Sequence, residues 1–257
     1  MKITFLGTGA ADFSPLLQTE YKDKLGRDVR RSSSILIEEQ YLVDCGPHVL
    51  DSFRIQNLDC CKVTDLFVTH FHADHYNWEC AAQLAAKTEL PLRIWHHAGA
   101  KPDPVPNAVF CPLEPGEEQQ NGTLKVKPLA ANHSGWPLHY DFELDGQRMF
   151  YGCDGAWVLN DTFAAMRNRK YHCMILDGTV GDYTGDIRVA EHNSIPMIRL
   201  LLASYRKYKV IAPEGLVYLS HIAPTLHAPH VETEKLLDKD EILLAYDGLT
   251  IYTSNKE

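Results

Sequence analysis

An α/β chain of the α+β kind, with two sheets and helices outside them, is what this sequence predicts. Three observations carry that reading. Strand-like runs are frequent and mostly short, helical runs are few and isolated, and the two do not alternate as a clean βαβ repeat. At 257 residues the chain can form one large domain, and no composition shift marks a boundary within 1–257.

Taken in order, strands are expected at Lys2–Leu6, Ser34–Glu38, Tyr41–Val43, Leu66–Thr69, Leu92–Trp95 and Leu124–Pro128. They continue at Leu138–Leu144, Arg148–Tyr151, Cys173–Leu176 and Leu216–Leu219. Asp145-Gly146 between two of these runs is a type I′ hairpin signal. Helices are expected at Tyr76–Lys87, Asn160–Asn168 with Asp161 as its cap, Asn193–Tyr208 and Glu232–Leu237. In the third of these, Ile195, Ile198, Leu201, Leu202 and Tyr205 recur at helical spacing. Pro102–Gly122, with five prolines, reads as a loop, either a lid over a site or a plain surface connection. No internal repeat is visible.

The composition, 45% hydrophobic and 23% charged, is that of an ordinary globular protein. No apolar run approaches the roughly 18 residues of a membrane span. The opening Met1-Lys2-Ile3-Thr4-Phe5-Leu6-Gly7 reads as a strand rather than a signal peptide. Seven cysteines, an odd number without a framework, favour reduced thiols and a cytoplasmic location. Cys45 and Cys153 are expected to be small buried hydrophobes. The formal charge of −9 argues against a general nucleic-acid surface, and Arg27, Arg30 and Arg31 read as a solvated loop.

One segment resists a purely structural reading. His70, His72, Asp74 and His75 follow the apolar run Leu66-Phe67-Val68, so three imidazoles and a carboxylate fall within six residues. These are nitrogen and oxygen ligands of the type that first-row divalent ions take. A solvated polar loop is the competing reading, and a chance H-x-H-x-D-H is rare. Further ligand-type residues follow strand-like runs: Asp44, His133, Asp154 and His221. A lone Asp there would be a turn former. Repeated at several strand ends, such residues describe a site built along one edge of a sheet.

Together these segments resemble the metallo-β-lactamase superfamily of hydrolases. The resemblance runs through Phe5-Leu6-Gly7-Thr8-Gly9, Leu42-Val43-Asp44-Cys45-Gly46, Thr69 to His75 and Asn132-His133-Ser134. It continues through Tyr151-Gly152-Cys153-Asp154-Gly155 and ends at Leu219-Ser220-His221. It implies a four-layer αββα sandwich of two mixed sheets with two divalent ions at one edge. His70, His72 and His133 would hold one ion, and Asp74, His75 and His221 the other. Asp154 would bridge them through its two oxygens, and Asp44 would orient a ligand imidazole. The ions would be Zn²⁺ or Mn²⁺, with Fe²⁺ also compatible. A hydroxide held between them would attack an ester, phosphoester, thioester or lactam, with Asp74 orienting it.

In overall order the chain is most similar to the phosphodiesterases related to the phosphoribosyl cyclic phosphodiesterase of phosphonate utilisation. That branch implies a small-molecule phosphodiester as substrate. It carries a His-Asn pair where this chain has His192-Asn193, which makes His192 a candidate general acid or phosphate binder. Two features depart from the branch: Leu16 to Arg31 contains no cysteine for a structural zinc site, and Asp177-Gly178-Thr179 replaces Asp-Cys-x-His. A tRNA 3′-processing nuclease, a glyoxalase II-like thioesterase and a mono-iron sulfur dioxygenase remain as alternatives on the same ligands. His227 and His230 read as loop histidines rather than ligands. Trp78, Trp136, Trp157 and Tyr183 read as core aromatics, with a pocket wall as the second reading. A homodimer is compatible with the sequence.

Overall fold

The computed structural model describes residues 1–253. In chain order the elements of the first half are β1 (Lys2–Gly7), β2 (Ser34–Ile37), β3 (Tyr41–Val43), α1 (Val49–Ile55), β4 (Asp65–Phe67), α2 (Trp78–Ala85), β5 (Leu92–His97) and β6 (Ala108–Leu113). The second half holds β7 (Gln119–Asn121), β8 (Leu124–Ala130), β9 (Leu138–Leu144), β10 (Gln147–Gly152), α3 (Asn160–Met166) and β11 (Tyr171–Asp177). It ends with α4 (Ile195–Lys207), β12 (Ile211–Ser220), α5 (His230–Leu237), β13 (Leu243–Leu244) and β14 (Thr250–Tyr252).

Among the described residues the strands form two mixed sheets of seven, ordered β14-β1-β2-β3-β4-β5-β6 and β13-β12-β11-β10-β9-β8-β7. Strand alternation builds the layers. In β3, Tyr41 and Val43 face the core between the sheets, while Leu42 faces α1 and α2. In β11, Cys173 and Ile175 face the inner core, while Met174 and Leu176 face the side covered by α4 and α5. A sheet apolar on both faces must be covered on both, which gives the αββα order. The inner core centres on Phe67, whose ring meets Trp95, Tyr140 and Phe142 at 5.3–5.9 Å.

The topology repeats although the sequence does not. From β1 to β6 the neighbouring pairs run antiparallel, antiparallel, then parallel three times. From β8 to β13 they run in the same order. Each half thus begins as a meander and continues with parallel strands, which helices link except between β5 and β6. The parallel strands of a half end at the same sheet edge, which is where the ligand-type residues stand.

Most expected elements form, and the differences have local causes. Asp145 and Gly146 turn between β9 and β10 with φ of 51° and 72°, as a type I′ turn requires. Pro102–Gly122 is not all loop, because β6 and β7 lie in it. β6 is an edge strand, where Pro112 removes no needed donor. The short α1, β13 and β14 lack enough residues for a readable period. Leu159, not Asp161, is the N-cap of α3, and no side chain caps it.

Arg30 and Arg31 are not solvated. They are 4% and 1% exposed, because Gly9 bridges Ser32 and Ile222 and carries the segment inward. Arg31 pairs with Asp247 at 3.2 Å, and Arg30 donates to Thr8 Oγ1 at 2.9 Å and to Ala245 O at 3.0 Å. His230 is likewise no loop histidine. It opens α5, is buried, and sits 3.1 Å from Arg30.

Two measurements test this account. Tyr140 Oη donates to Val68 O at 2.7 Å, tying the sheets together two residues before His70. Tyr140→Phe leaves that buried carbonyl short of a donor and should cost about 1–2 kcal/mol in urea unfolding. His227 and His230 are held down to about 4, first by burial. The unfolded chain takes up those protons from about pH 6.5. Their neutral burial therefore stabilises above that pH and is lost as the pH falls towards 4. The urea midpoint should drop less steeply over that window in His230→Gln than in the parent chain.

Candidate metal centre

The motif turn follows β4 and is fixed on both sides. His75 N and Tyr76 N donate to His72 O at 3.0 and 2.8 Å, closing a tight turn. Asn77 then caps α2 by accepting from Cys80 N at 2.8 Å. Cys45 N donates to His75 O, and Asn77 N donates to Cys45 O, both at 2.8 Å, so the chain after β3 is stitched to the motif. The other nominated residues arrive from the second half: His133 after β8, Asp154 after β10 and His221 after β12. Asp44 and His221 take φ of 61° and 57°, an uncommon conformation for residues with a Cβ.

All seven nominated ligand residues meet at one point. Oδ2 of Asp154 lies 3.8 Å from His70 Nε2, 3.6 Å from His75 Nε2, 3.4 Å from His133 Nε2 and 3.6 Å from His221 Nε2. His72 joins through Nδ1, 3.2 Å from His133 Nε2. Asp74 Oδ2 stands 3.4 Å from both His75 Nε2 and His221 Nε2. His70, His72 and His133 form one group with metal-ligand spacing, and Asp74, His75 and His221 another. One detail differs from expectation. A single oxygen of Asp154 faces the imidazoles, while Oδ1 turns to His192 Nδ1 at 2.6 Å.

The surroundings prepare these nitrogens for a cation. Thr69 Oγ1 donates to Asp44 Oδ1 at 2.9 Å and therefore accepts from His70 Nδ1 at 3.1 Å. His75 Nδ1 donates to Asp44 Oδ2 at 2.8 Å. Thr179 Oγ1 donates to His221 O and so accepts from His221 Nδ1 at 2.7 Å. His133 Nδ1 donates to Glu191 O at 3.3 Å. With each Nδ1 carrying the proton, each Nε2 keeps its lone pair for the centre. Among the described residues His70 Nε2 is buried without a hydrogen-bond partner, which fits a lone pair that a metal ion would take.

Charge tells the same story. Burial pushes His70 well below the ordinary imidazole range, helped by the neighbouring His75. Burial would raise Asp154 and Asp74, yet positive charge around them, that of protonated imidazoles where no ion is bound, holds both well below the usual carboxylate range. Burial lowers His192, but Asp177 and Asp154 outweigh it and raise the ring to about 11.

Sequence reasoning missed four contributors. Asp177, at the end of β11, accepts from His192 Nδ1 at 3.0 Å, Gly155 N at 2.9 Å and Thr179 N at 2.7 Å. Its place at a strand end was a readable signal. Thr69 and Thr179 set imidazole tautomers, a role that only neighbours in space reveal. Arg188 lines the cavity of about 250 Å³ over the centre, together with Asp12, Glu191 and His192. His227 stays outside the ligand groups, its Nε2 2.7 Å from Gly178 O, and so does His230.

Among solved structures, the metallo-β-lactamase fold protein YhfI of Bacillus subtilis superposes with a TM-score of 0.73 at 16% identity, covering 97% of this chain and 98% of that one. A diphosphatase of the PhnP family gives 0.72 at 17% identity, covering 97% and 96%. The fold of this chain is therefore the metallo-β-lactamase fold, and its histidine–aspartate signature stands where that sandwich brings strand ends together. Among curated proteins, ribonuclease Z of Methanococcus maripaludis is 33% identical over 75 residues, covering 29% of this chain and 21% of its own length. The zinc phosphodiesterase ELAC protein 1 of Bos taurus is 33% identical over 111 residues, covering 39% and 27%. The chain thus spans about a fifth to a quarter of the curated relatives it matches. No family model matches it.

Thr179→Val removes the acceptor for His221 Nδ1 while keeping the side-chain shape. It should weaken zinc binding by about 10–100-fold in chelator competition. An unchanged affinity would show that Thr179 does not set that ligand's orientation.

Proposed function

We propose that this chain is a metal-dependent phosphodiesterase acting on a small or cyclic phosphodiester, with two divalent ions, zinc or manganese. The observation that carries the reading is the single oxygen of Asp154 facing four imidazole nitrogens, with His70 Nε2 left without a partner. In this reading His70, His72 and His133 hold one ion, Asp74, His75 and His221 the other, and Asp154 joins them. Such a pair supplies a nucleophilic water of lowered pKa and neutralises charge on the phosphoryl oxygens.

The protein's own groups supply the rest. Asp74 is held as a carboxylate and can orient the attacking water by accepting its hydrogen bond. His192 lines the same cavity with its Nδ1 held by Asp177 and Asp154, which suits its ring to protonate the leaving alkoxide. Asp177 fixes that ring from behind at 3.0 Å. Arg188 adds a fixed guanidinium, braced on Asp186 at 2.9 and 2.7 Å. Hydrogen-bond donors on Arg188 and His192 beside the centre suit the oxygens of a phosphate ester.

The curated relatives support phosphodiester chemistry by name, and ribonuclease Z supports RNA as a second substrate class. The formal charge of −9 favours the small substrate. Among the described residues no helix is long and apolar enough to cross a membrane. The seven cysteines are free, in keeping with the reducing compartment that the sequence suggests.

The test is hydrolysis of bis(p-nitrophenyl) phosphate, a 2′,3′-cyclic nucleotide and an acyl thioester by protein loaded with Zn²⁺ or Mn²⁺. Phosphodiester turnover should vanish with chelation and in His72→Ala. His192→Ala should lose about 10²–10⁴-fold in turnover with its metal content intact. Thioester cleavage alone would overturn the substrate class, and one iron per chain would move the reading to an oxygenase.

A further inference from the structure

A second cavity opens beside the metal centre and shares His72 with it as a wall. Its volume is about 600 Å³, within the range of small-molecule sites and roomy enough for one nucleoside. Phe71, Tyr76, Trp78 and Trp136 line it, with Lys101 and Asp103 beside them. Of the four aromatics nominated from the sequence, Trp78 and Trp136 enter this wall, whereas Trp157 and Tyr183 do not. None of the four is buried in the core, with exposures of 42%, 58%, 42% and 50% in chain order.

The two indoles of the wall are held rather than loose. Trp136 takes φ of +60°, directly after Gly135 at +81°, an outlying conformation for a bulky side chain. A Cβ added at Gly99 would come within 2.7–2.9 Å of three adjacent atoms of the six-membered ring of Trp136, so the glycine backbone supports that ring closely. The ring of His97 meets Trp136 at 5.2 Å. Trp78 is pinned at its edge, Nε1 donating to Pro104 O at 3.1 Å. Tyr76 completes the lining with a buried hydroxyl that has no hydrogen-bond partner. Strained backbone that presents a supported, exposed aromatic surface next to a catalytic centre is a functional arrangement. Every nucleobase has a face that stacks on such a surface.

We propose that this cavity is a nucleobase subsite, so that the phosphodiester turned over at the metal centre is a nucleotide one. The proposal rests on the phosphodiesterase reading and names its substrate class. Trp136 is the stacking platform, Trp78 the second aromatic wall, and the shared His72 places the base next to the reacting phosphate. Gly99 is a positioning residue, since any side chain there displaces the platform.

Calorimetric titration of the zinc-loaded protein with adenosine 5′-monophosphate and with ribose 5-phosphate separates the base from the phosphate. The nucleotide should bind about tenfold or more tighter. Trp136→Ala and Gly99→Ala should each bring the ratio towards one, whereas Tyr183→Ala, outside the cavity, should preserve it. Equal affinities, no binding of either ligand, or a preference that survives Trp136→Ala would overturn the subsite. A ten-nucleotide single-stranded RNA distinguishes the carriers of the base. Binding far tighter than the mononucleotide, and lost in Trp136→Ala, assigns the subsite to an RNA end; equal binding assigns it to a mononucleotide. Turnover of bis(p-nitrophenyl) phosphate by the same preparation reports the reaction class separately. Turnover without base preference removes the subsite alone, and base preference without turnover removes the reaction class alone.

Discussion

A buried carboxylate oxygen surrounded by imidazole nitrogens is the constraint on which the rest of this structure depends. Asp154 is 4% exposed, and its Oδ2 faces four Nε2 atoms within 3.8 Å. A carboxylate cannot be taken out of water without compensation, and lone pairs pointed at one another are no compensation. Cations supply what is missing. The surrounding sandwich then has one task at this edge, which is to hold ligands in place before an ion arrives.

The repeated topology explains how two distant stretches of chain accomplish this. Each half ends its parallel strands at the same edge, and each delivers part of the ligand set. The first half supplies the compact motif turn, tied to the segment after β3 through Cys45, His75 and Asn77. The second half supplies single residues at the ends of β8, β10 and β12. Leu138 N donates to Thr69 O at 2.8 Å, so the two contributions are joined across the sheets immediately beside the site. Rigidity comes from the sheets, and chemistry from the irregular chain that leaves them.

Around the ligands lies a layer that sets protonation. Asp44, Thr69, Thr179 and Asp177 are all buried, and each hydrogen-bonds an imidazole. On the solvent side the pattern changes to Arg188 and His192 over the centre and to aromatic surface beyond His72. Most of the groups with metal-ligand spacing are thus buried, His72 and His133 only in part, and His70, His75, His133 and His221 are fixed in tautomer. That arrangement matches the demands of a centre that keeps its ions and exchanges its ligands.

Much of this was legible along the chain. Ten strand-like runs, the Asp145-Gly146 turn and the apolar face of α4 report local periodicity and turn chemistry, which need no partner to be read. The motif turn was legible because its ligands are neighbours in sequence, and Asp44, His133, Asp154 and His221 because each ends a strand. The short α1, β13 and β14 carry no period. β6 hides behind Pro112, which an edge strand tolerates, and the burial of Arg30 and Arg31 depends on where Gly9 carries the chain. The sequence by itself determined which residue types meet and on what kind of scaffold, since alternation and strand ends are properties of consecutive residues. Only the tertiary structure decided which oxygen of Asp154 faces the imidazoles, which Thr fixes which ring, and that Trp78 and Trp136 share a wall while Trp157 does not. Those are distances between residues far apart in the chain, and side-chain period carries no information about them.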